Sequence, residues 1–206
     1  ALPILASVDS GELRATGGIR IITDGDLSLL ASADLIVVPG WRGVDSPVPD
    51  ALCNALRQAS ARGCQLLSIC SGVFVLAASG LLNGRKATTH WRYIETLKAR
   101  YPDIDVVEDV LYQDEGEILT SAGSAAGIDL CLHVVRRDFG METANSVARR
   151  LVIPPHRDGS QPQQLSRPVA QLRESQRLGQ LFDFLHTHLT EPHSVDSLAR
   201  RVGMSQ

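Results

Sequence analysis

Three things are missing from this chain of 206 residues, and each absence excludes something. There is no basic excess: 20 Lys and Arg stand against 23 Asp and Glu, a formal net charge of −3. A chain that coats nucleic acid by bulk electrostatics is thereby excluded, whereas a small DNA-reading module with a locally basic face is not. No apolar run approaches membrane-spanning length and no signal peptide opens the chain, so no membrane partner is expected and the cytoplasm is the expected compartment. No C-x-x-C pair occurs among the four cysteines, Cys53, Cys64, Cys70 and Cys131. Neither a zinc site nor a disulfide framework is indicated, and no metal or cofactor is expected. What remains is 44% apolar and 21% charged, enough for one α/β domain plus a remainder, or for two small domains.

The most informative stretch that is present runs Leu66-Leu67-Ser68-Ile69-Cys70-Ser71-Gly72-Val73-Phe74. A short apolar run, read as a buried strand, breaks at Cys70 and passes into a helical pattern. The small residues Ser68 and Gly72 flank it, as a nucleophile elbow requires, because bulky neighbours would clash in so tight a turn. The turn predicts a strained backbone at Cys70. A thiol near a helix N-terminus is also expected to favour thiolate. The plain alternative is a buried structural cysteine following a strand.

Alternation of short apolar strands with helical periodicity predicts an α/β fold with a largely parallel sheet covered on both faces. Ile4–Val8, Ile19–Ile22, Leu35–Val38, Lys86–Thr89, Val106–Gln113 and Glu117–Ser121 read as strands, the last two as a hairpin around Asp114-Glu115-Gly116. Helices are expected over Pro49–Arg62, Gly72–Ala78, Tyr93–Tyr101, Ala126–Phe139 and Glu142–Leu151. From Pro154 to Gln164 the composition turns polar and proline-bearing, which reads as a linker or a draped arm. Beyond it, Leu178, Leu181, Phe182, Leu185 and Leu189 fall at helical spacing, and Ser194 is placed to cap a helix from Val195 to Val202. Both ends look cut: the chain opens at Ala1 close to a strand and stops at Gln206 within a helical pattern.

Ligands of open parallel sheets collect outside the carboxyl ends of the strands. Four such ends carry Pro39-Gly40-Trp41, Cys70-Ser71, Thr89-His90-Trp91 and Ser121-Ala122-Gly123. Amides of Gly40 or Trp41 and of Ser71 are expected to form an oxyanion-type hole beside the Cys70 thiol. His90 is the candidate base or hydrogen-bond partner, with a rim histidine of no catalytic duty as the alternative. Trp41 and Trp91, with Ser121 and Gly123, are candidates for lining a small ligand pocket, although either indole suits plain packing. His133 shares a helix face with Leu130 and Val134 and reads as structural. A Cys-His pair without an acid is a weak basis for enzyme activity.

A second signal lies in Leu198-Ala199-Arg200-Arg201-Val202-Gly203-Met204-Ser205. Ala199, four residues before a glycine, lets one helix approach the next; Gly203 permits a left-handed turn, and Ser205 can cap the second helix. With Ser194 and Leu198 this is the first part of a helix-turn-helix, whose base-reading helix would lie past Gln206. An ordinary helical hairpin is the alternative.

Together these motifs are familiar. Residues 1–153 resemble the PfpI-like branch of the class I glutamine amidotransferase superfamily, through Ile36-Val37-Val38-Pro39-Gly40, Ser68-Ile69-Cys70-Ser71-Gly72, Gly84-Arg85-Lys86-Ala87-Thr88-Thr89-His90-Trp91, Ser121-Ala122-Gly123 and Gly127-Ile128-Asp129-Leu130. After a linker at 154–172, residues 173–206 resemble the start of an AraC-type DNA-binding domain. The pairing, in this order, is typical of AraC-family transcriptional regulators. The resemblance implies a flavodoxin-like sensor domain followed by a truncated all-α segment. It also implies a DNA partner for the full-length protein, an unidentified small-molecule effector and a homodimer. Ser71 departs from hydrolytic members, which place a histidine directly after the nucleophile. The family's acidic partner comes from a first helix, which is expected to precede Ala1. Isonitrile hydratases, relatives of the sensor domain, carry Cys-Thr at the elbow, for which Cys70-Ser71 is a near substitute. A cysteine enzyme of that kind is therefore the alternative function.

Overall fold

The computed structural model describes residues 3–9, 11–15, 18–163, 181, 182, 184–186, 188 and 193–202. The chain divides into two compact units, residues 1–163 and 164–206. The first begins with an antiparallel pair, β1 (Leu13–Arg14) and β2 (Arg20–Ile21). Its centre is a four-stranded sheet in the order β3 (Leu35–Val38), β4 (Gln65–Ile69), β8 (Ile118–Ser121), β7 (Tyr112–Asp114). The first three strands run parallel and β7 returns antiparallel to β8. Gly116 lets the hairpin turn, at φ +84°, and its amide bonds the Asp114 carboxylate. A further parallel pair joins β5 (Lys86–Ala87) to β6 (Asp105–Val106).

Side chains alternate across β4 and divide the core in two. Leu66 faces one way, toward Leu56 and Ala59 of α1 (Asp50–Ala61), Val73 and Phe74 of α2 (Val73–Ala78) and Leu97 of α3 (Ile94–Arg100). Leu67 faces the other, toward Leu119 and, on α4 (Ser124–Leu151), Ala126, Leu130 and Val134. Each fully buried leucine stabilises the fold by about 1.5–3 kcal/mol. Gly140, at φ +85° and ψ 168°, breaks α4 where the sequence places its helix stop.

Several elements differ from the sequence expectation. Among residues 4–8 only Ala6 bridges, to Gly25. The strand expected over Lys86–Thr89 ends at Ala87, because the Thr88 amide bonds the Thr120 hydroxyl and the Thr89 hydroxyl turns to the Cys70 carbonyl. The run Val106–Gln113 splits between β6 and β7, with Asp109 at φ +51° between them. The sheet is not covered on both faces throughout: on the face that α4 covers elsewhere, Leu35 and Val37 of β3 each remain 41% exposed.

Residues 154–163, whose composition reads as a linker or a draped arm, lie along the first unit. Leu111 and Tyr112 donate their amides to the Gly159 carbonyl, and the Tyr112 hydroxyl donates to the Arg157 carbonyl. In the second unit residues 181, 182 and 184–186 are helical, and α5 (Val195–Arg201) comes after them. Ser194 caps α5 reciprocally with Ser197, satisfying two amides at that helix start. Leu178 and Leu189 of the expected preceding helix lie outside the described residues, as do Gly203 and Ser205 of the helix-turn-helix reading.

Candidate functional site

The elbow forms as the punctuation predicts, with Cys70 at φ +54°, a left-handed conformation costing a non-glycine residue about 1–2 kcal/mol. Three neighbours hold it. A Cβ on Gly72 would lie 2.3 Å from the Val38 carbonyl oxygen, so only glycine lets the turn press against the end of β3. The Thr89 hydroxyl donates to the Cys70 carbonyl at 2.8 Å. The Ser71 hydroxyl accepts from the Trp41 amide at 3.0 Å and donates to the Trp41 carbonyl at 3.4 Å. β3, β4 and the loop after β5 are thus joined through the elbow itself.

Electrostatics at the thiol run against the sequence expectation. Burial pushes Cys70 above its ordinary value, and the Ser71 amide and the Arg92 charge only partly oppose it. The helix whose N-terminus was to favour thiolate begins at Val73, beyond a 3-10 turn over Cys70–Gly72, and is six residues long. Desolvation therefore wins. Of the amides expected to form an oxyanion-type hole, that of Trp41 is taken by the Ser71 hydroxyl and that of Ser71 faces the Cys70 sulfur, which leaves Gly40 as the other candidate donor.

His90 caps the 3-10 turn Trp91–Tyr93, its Nδ1 accepting from the Arg92 amide at 3.3 Å. Burial and the Arg92 charge hold the imidazole below its ordinary value. It is therefore neutral at neutral pH, with its proton on Nε2. Its ring packs against Gly123, where a Cβ would stand 3.4 Å from Cδ2, and lies 5.4 Å from the Trp91 ring. Trp91 is 48% exposed at the rim. Trp41 takes the packing role instead: its indole donates to the Ser46 carbonyl and it lies against the core. Gly40 lies beside the elbow: a Cβ there would be 3.6 Å from the Ser71 hydroxyl oxygen. The hydroxyl of Ser121, also expected at the pocket, is buried and committed to the Ser68 carbonyl. His133 bonds Asp114 at 2.7 Å, at the turn end of the β7–β8 hairpin.

Ser194, Leu198 and Ala199 lie in the second unit, Ser194 as the cap already described and the other two on α5. Sequence reasoning missed two residues of this edge. Thr89 stood within a quoted motif but without a role of its own. Gln163 gave no signal at all, yet its side-chain amide donates to the Thr89 and Val110 carbonyls and accepts from the Trp91 amide. Among the described residues no group of three or more His, Cys, Asp or Glu is placed to hold a metal, and no helix is long and apolar enough to cross a membrane.

Comparison with known proteins places this geometry in context. The DJ-1/PfpI family profile matches residues 3–137. The HTH-type transcriptional regulator CdhR of Pseudomonas aeruginosa is 32% identical over 201 residues, covering 97% of this chain and 59% of that protein. An isonitrile hydratase of Pseudomonas putida is 36% identical over 125 residues, covering 59% of this chain and 53% of that one. Among solved structures, an AraC family transcriptional regulator from Pseudomonas putida superposes with a TM-score of 0.62. It is 23% identical over 71% of this chain and 78% of that one, a likeness that bears on the fold alone. The chain spans about half the length of the curated relatives it matches, 59%, 48% and 54% for three regulators.

Proposed function

This chain belongs to the DJ-1/PfpI family, and from that premise we propose that it is the sensory part of a sequence-specific, DNA-binding transcriptional regulator of the AraC type. Similarity to a transcriptional regulator runs through 97% of the chain, past the first unit and into the second; this observation carries the reading. The capping box at Ser194 opens α5 as the first helix of a helix-turn-helix, to which Leu198, Ala199, Gly203 and Ser205 contribute. The edge around Cys70, His90, Ser71, Gly40, Trp91 and Gly123 receives a small-molecule effector, with DNA as the macromolecular partner and a homodimer as the working state. Chemically that edge offers the Nε2–H of a neutral His90 and a protonated thiol, which suits reversible binding better than nucleophilic attack.

The second reading is a cysteine enzyme of the isonitrile hydratase kind, with Cys70 attacking the substrate carbon. The 36% identity to an isonitrile hydratase favours it, whereas the raised thiol and the occupied Trp41 amide oppose it. One paired assay separates the two: turnover of isonitriles beside reporter expression, for wild type and Cys70→Ala. A regulator gives negligible turnover in both proteins and an altered reporter response to the effector. Robust turnover abolished by Cys70→Ala, with reporter output unchanged, contradicts the regulator reading.

A further inference from the structure

We propose that residues 157–163 form a latch on the Cys70 edge, with Gln163 as the positioning residue that couples the state of that edge to the chain beyond it. The proposal rests on reading the edge as a sensing site and adds the route by which it is read out. The latch is fastened at three points. Arg157 reaches Asp129 on α4 at 3.1 Å, where the carboxylate is 8% exposed. Gly159 lies under the Tyr112 ring so closely that a Cβ would stand 2.7 Å from it, and its carbonyl takes the Leu111 and Tyr112 amides. Gln163 closes the strap with four bonds. Its backbone amide donates to the Asp109 carboxylate, Nε2 donates to Thr89 and Val110, and Oε1 accepts from Trp91.

The orientation of the Gln163 amide is fixed by its partners, since two carbonyls demand the NH2 and one amide demands the oxygen. Every donor hydrogen of that side chain is used. One of its acceptors, Thr89, is fully buried and donates its own hydroxyl to the Cys70 carbonyl. The other end of the fork holds Trp91, adjacent to His90. One side chain therefore spans both walls of the edge, one bonded step from the Cys70 backbone. In the chain, Gln163 is the last residue before the second unit begins at Gln164. A group entering beside Cys70 displaces Thr89 or Trp91 and loosens Gln163; a loosened Gln163 opens the edge. The coupling is reciprocal by thermodynamic necessity.

Two measurements test it, neither using DNA or an effector, so their failure leaves the regulator reading standing and failure of DNA binding leaves the latch standing. In the wild-type protein, Cys70 is alkylated with iodoacetamide and verified by peptide mass mapping, which separates it from the exposed Cys131. Amide exchange at Trp91, Leu111 and Tyr112, whose N–H groups bond the strap, is then expected to accelerate about fivefold or more, while Leu66 and Leu119 in the sheet centre stay protected. Unchanged exchange at those three amides overturns the latch. In the second measurement, Gln163→Ala and Gln163→Glu are compared with wild type for the rate of Cys70 alkylation, folding being verified by circular dichroism. Both variants are expected to react about fivefold faster than wild type, since neither supplies the two amide hydrogens that hold Thr89 and Val110. Rates within twofold of wild type in the folded variants overturn the proposal; should a variant fail to fold, the exchange experiment alone decides.

Discussion

Two of the described residues that hold a left-handed backbone without being glycine stand at the ends of two different elements. Cys70, at φ +54°, ends β4, and Val152, at φ +56° and ψ +42°, ends α4. At Cys70 the conformation is imposed from outside: Gly72 is pressed on the Val38 carbonyl, Thr89 holds the Cys70 carbonyl, and Ser71 is joined to Trp41. At Val152 it is imposed by the helix alone, through amides of Val152 and Ile153 that return to Arg149 and Ala148. The Val152 side chain is 90% exposed and contributes little packing. The difference teaches which strain belongs to the site. Relaxing Cys70 would disturb the ends of β3 and β4 and the Thr89–His90 loop together, whereas Val152 is a helix stop that glycine would serve better.

The comparison breaks most visibly at Gly72. Gly72→Ala forces a methyl into the Val38 carbonyl and is expected to cost about 3 kcal/mol or more, read as a drop in the denaturant midpoint. A loss within experimental error would mean that the elbow is not clamped by β3.

The thiol itself gives the next effect. Burial favours its neutral form, and the Ser71 amide and the Arg92 charge oppose this only in part. Cys70 alkylation is expected to rise about tenfold per pH unit and to keep rising past pH 9. A plateau below pH 8 would reveal a stabilised thiolate and restore the enzyme reading.

Glycine exchange sharpens the contrast directly. Val152→Gly is expected to raise stability by about 1 kcal/mol, since the backbone strain goes and almost no packing is lost. Cys70→Gly is expected to exceed Cys70→Ala by a similar amount, measured as the difference in Tm between the two variants. Equal stability of Cys70→Gly and Cys70→Ala would remove strain from the account of the site. The smallest effect concerns Thr88, whose buried hydroxyl meets no partner among the described residues; Thr88→Val should change stability by less than about 0.5 kcal/mol in thermal melts.

How much the sequence made legible depends on the range of the interactions involved. The apolar run Leu35–Val38 and the Pro49–Arg62 helix are stated locally, by periodicity and punctuation, and appear within a residue of the expected bounds. The elbow was legible for the same reason, because Ser68, Cys70 and Gly72 crowd a single turn. The acidity of Cys70 was not, since it depends on burial by neighbours far along the chain rather than on the adjoining helix. The occupied Trp41 amide was hidden too, for a serine hydroxyl gives no sign in sequence of whether it faces a ligand or its own backbone. For residues 154–163 composition offered a linker or a draped arm and could not choose between them. These residues hold the unit through a glycine carbonyl, an arginine and one glutamine amide, and such contacts leave no hydrophobic pattern to read.

The central claim, that this chain is part of a sequence-specific DNA-binding regulator, is tested most directly by selecting from a pool of random duplex DNA with the protein that carries it. The account predicts enrichment of one family of sequences whose retention survives added salt better than that of the unselected pool. A pool that stays random through successive rounds, with retention that is uniformly salt-sensitive or absent, would contradict it.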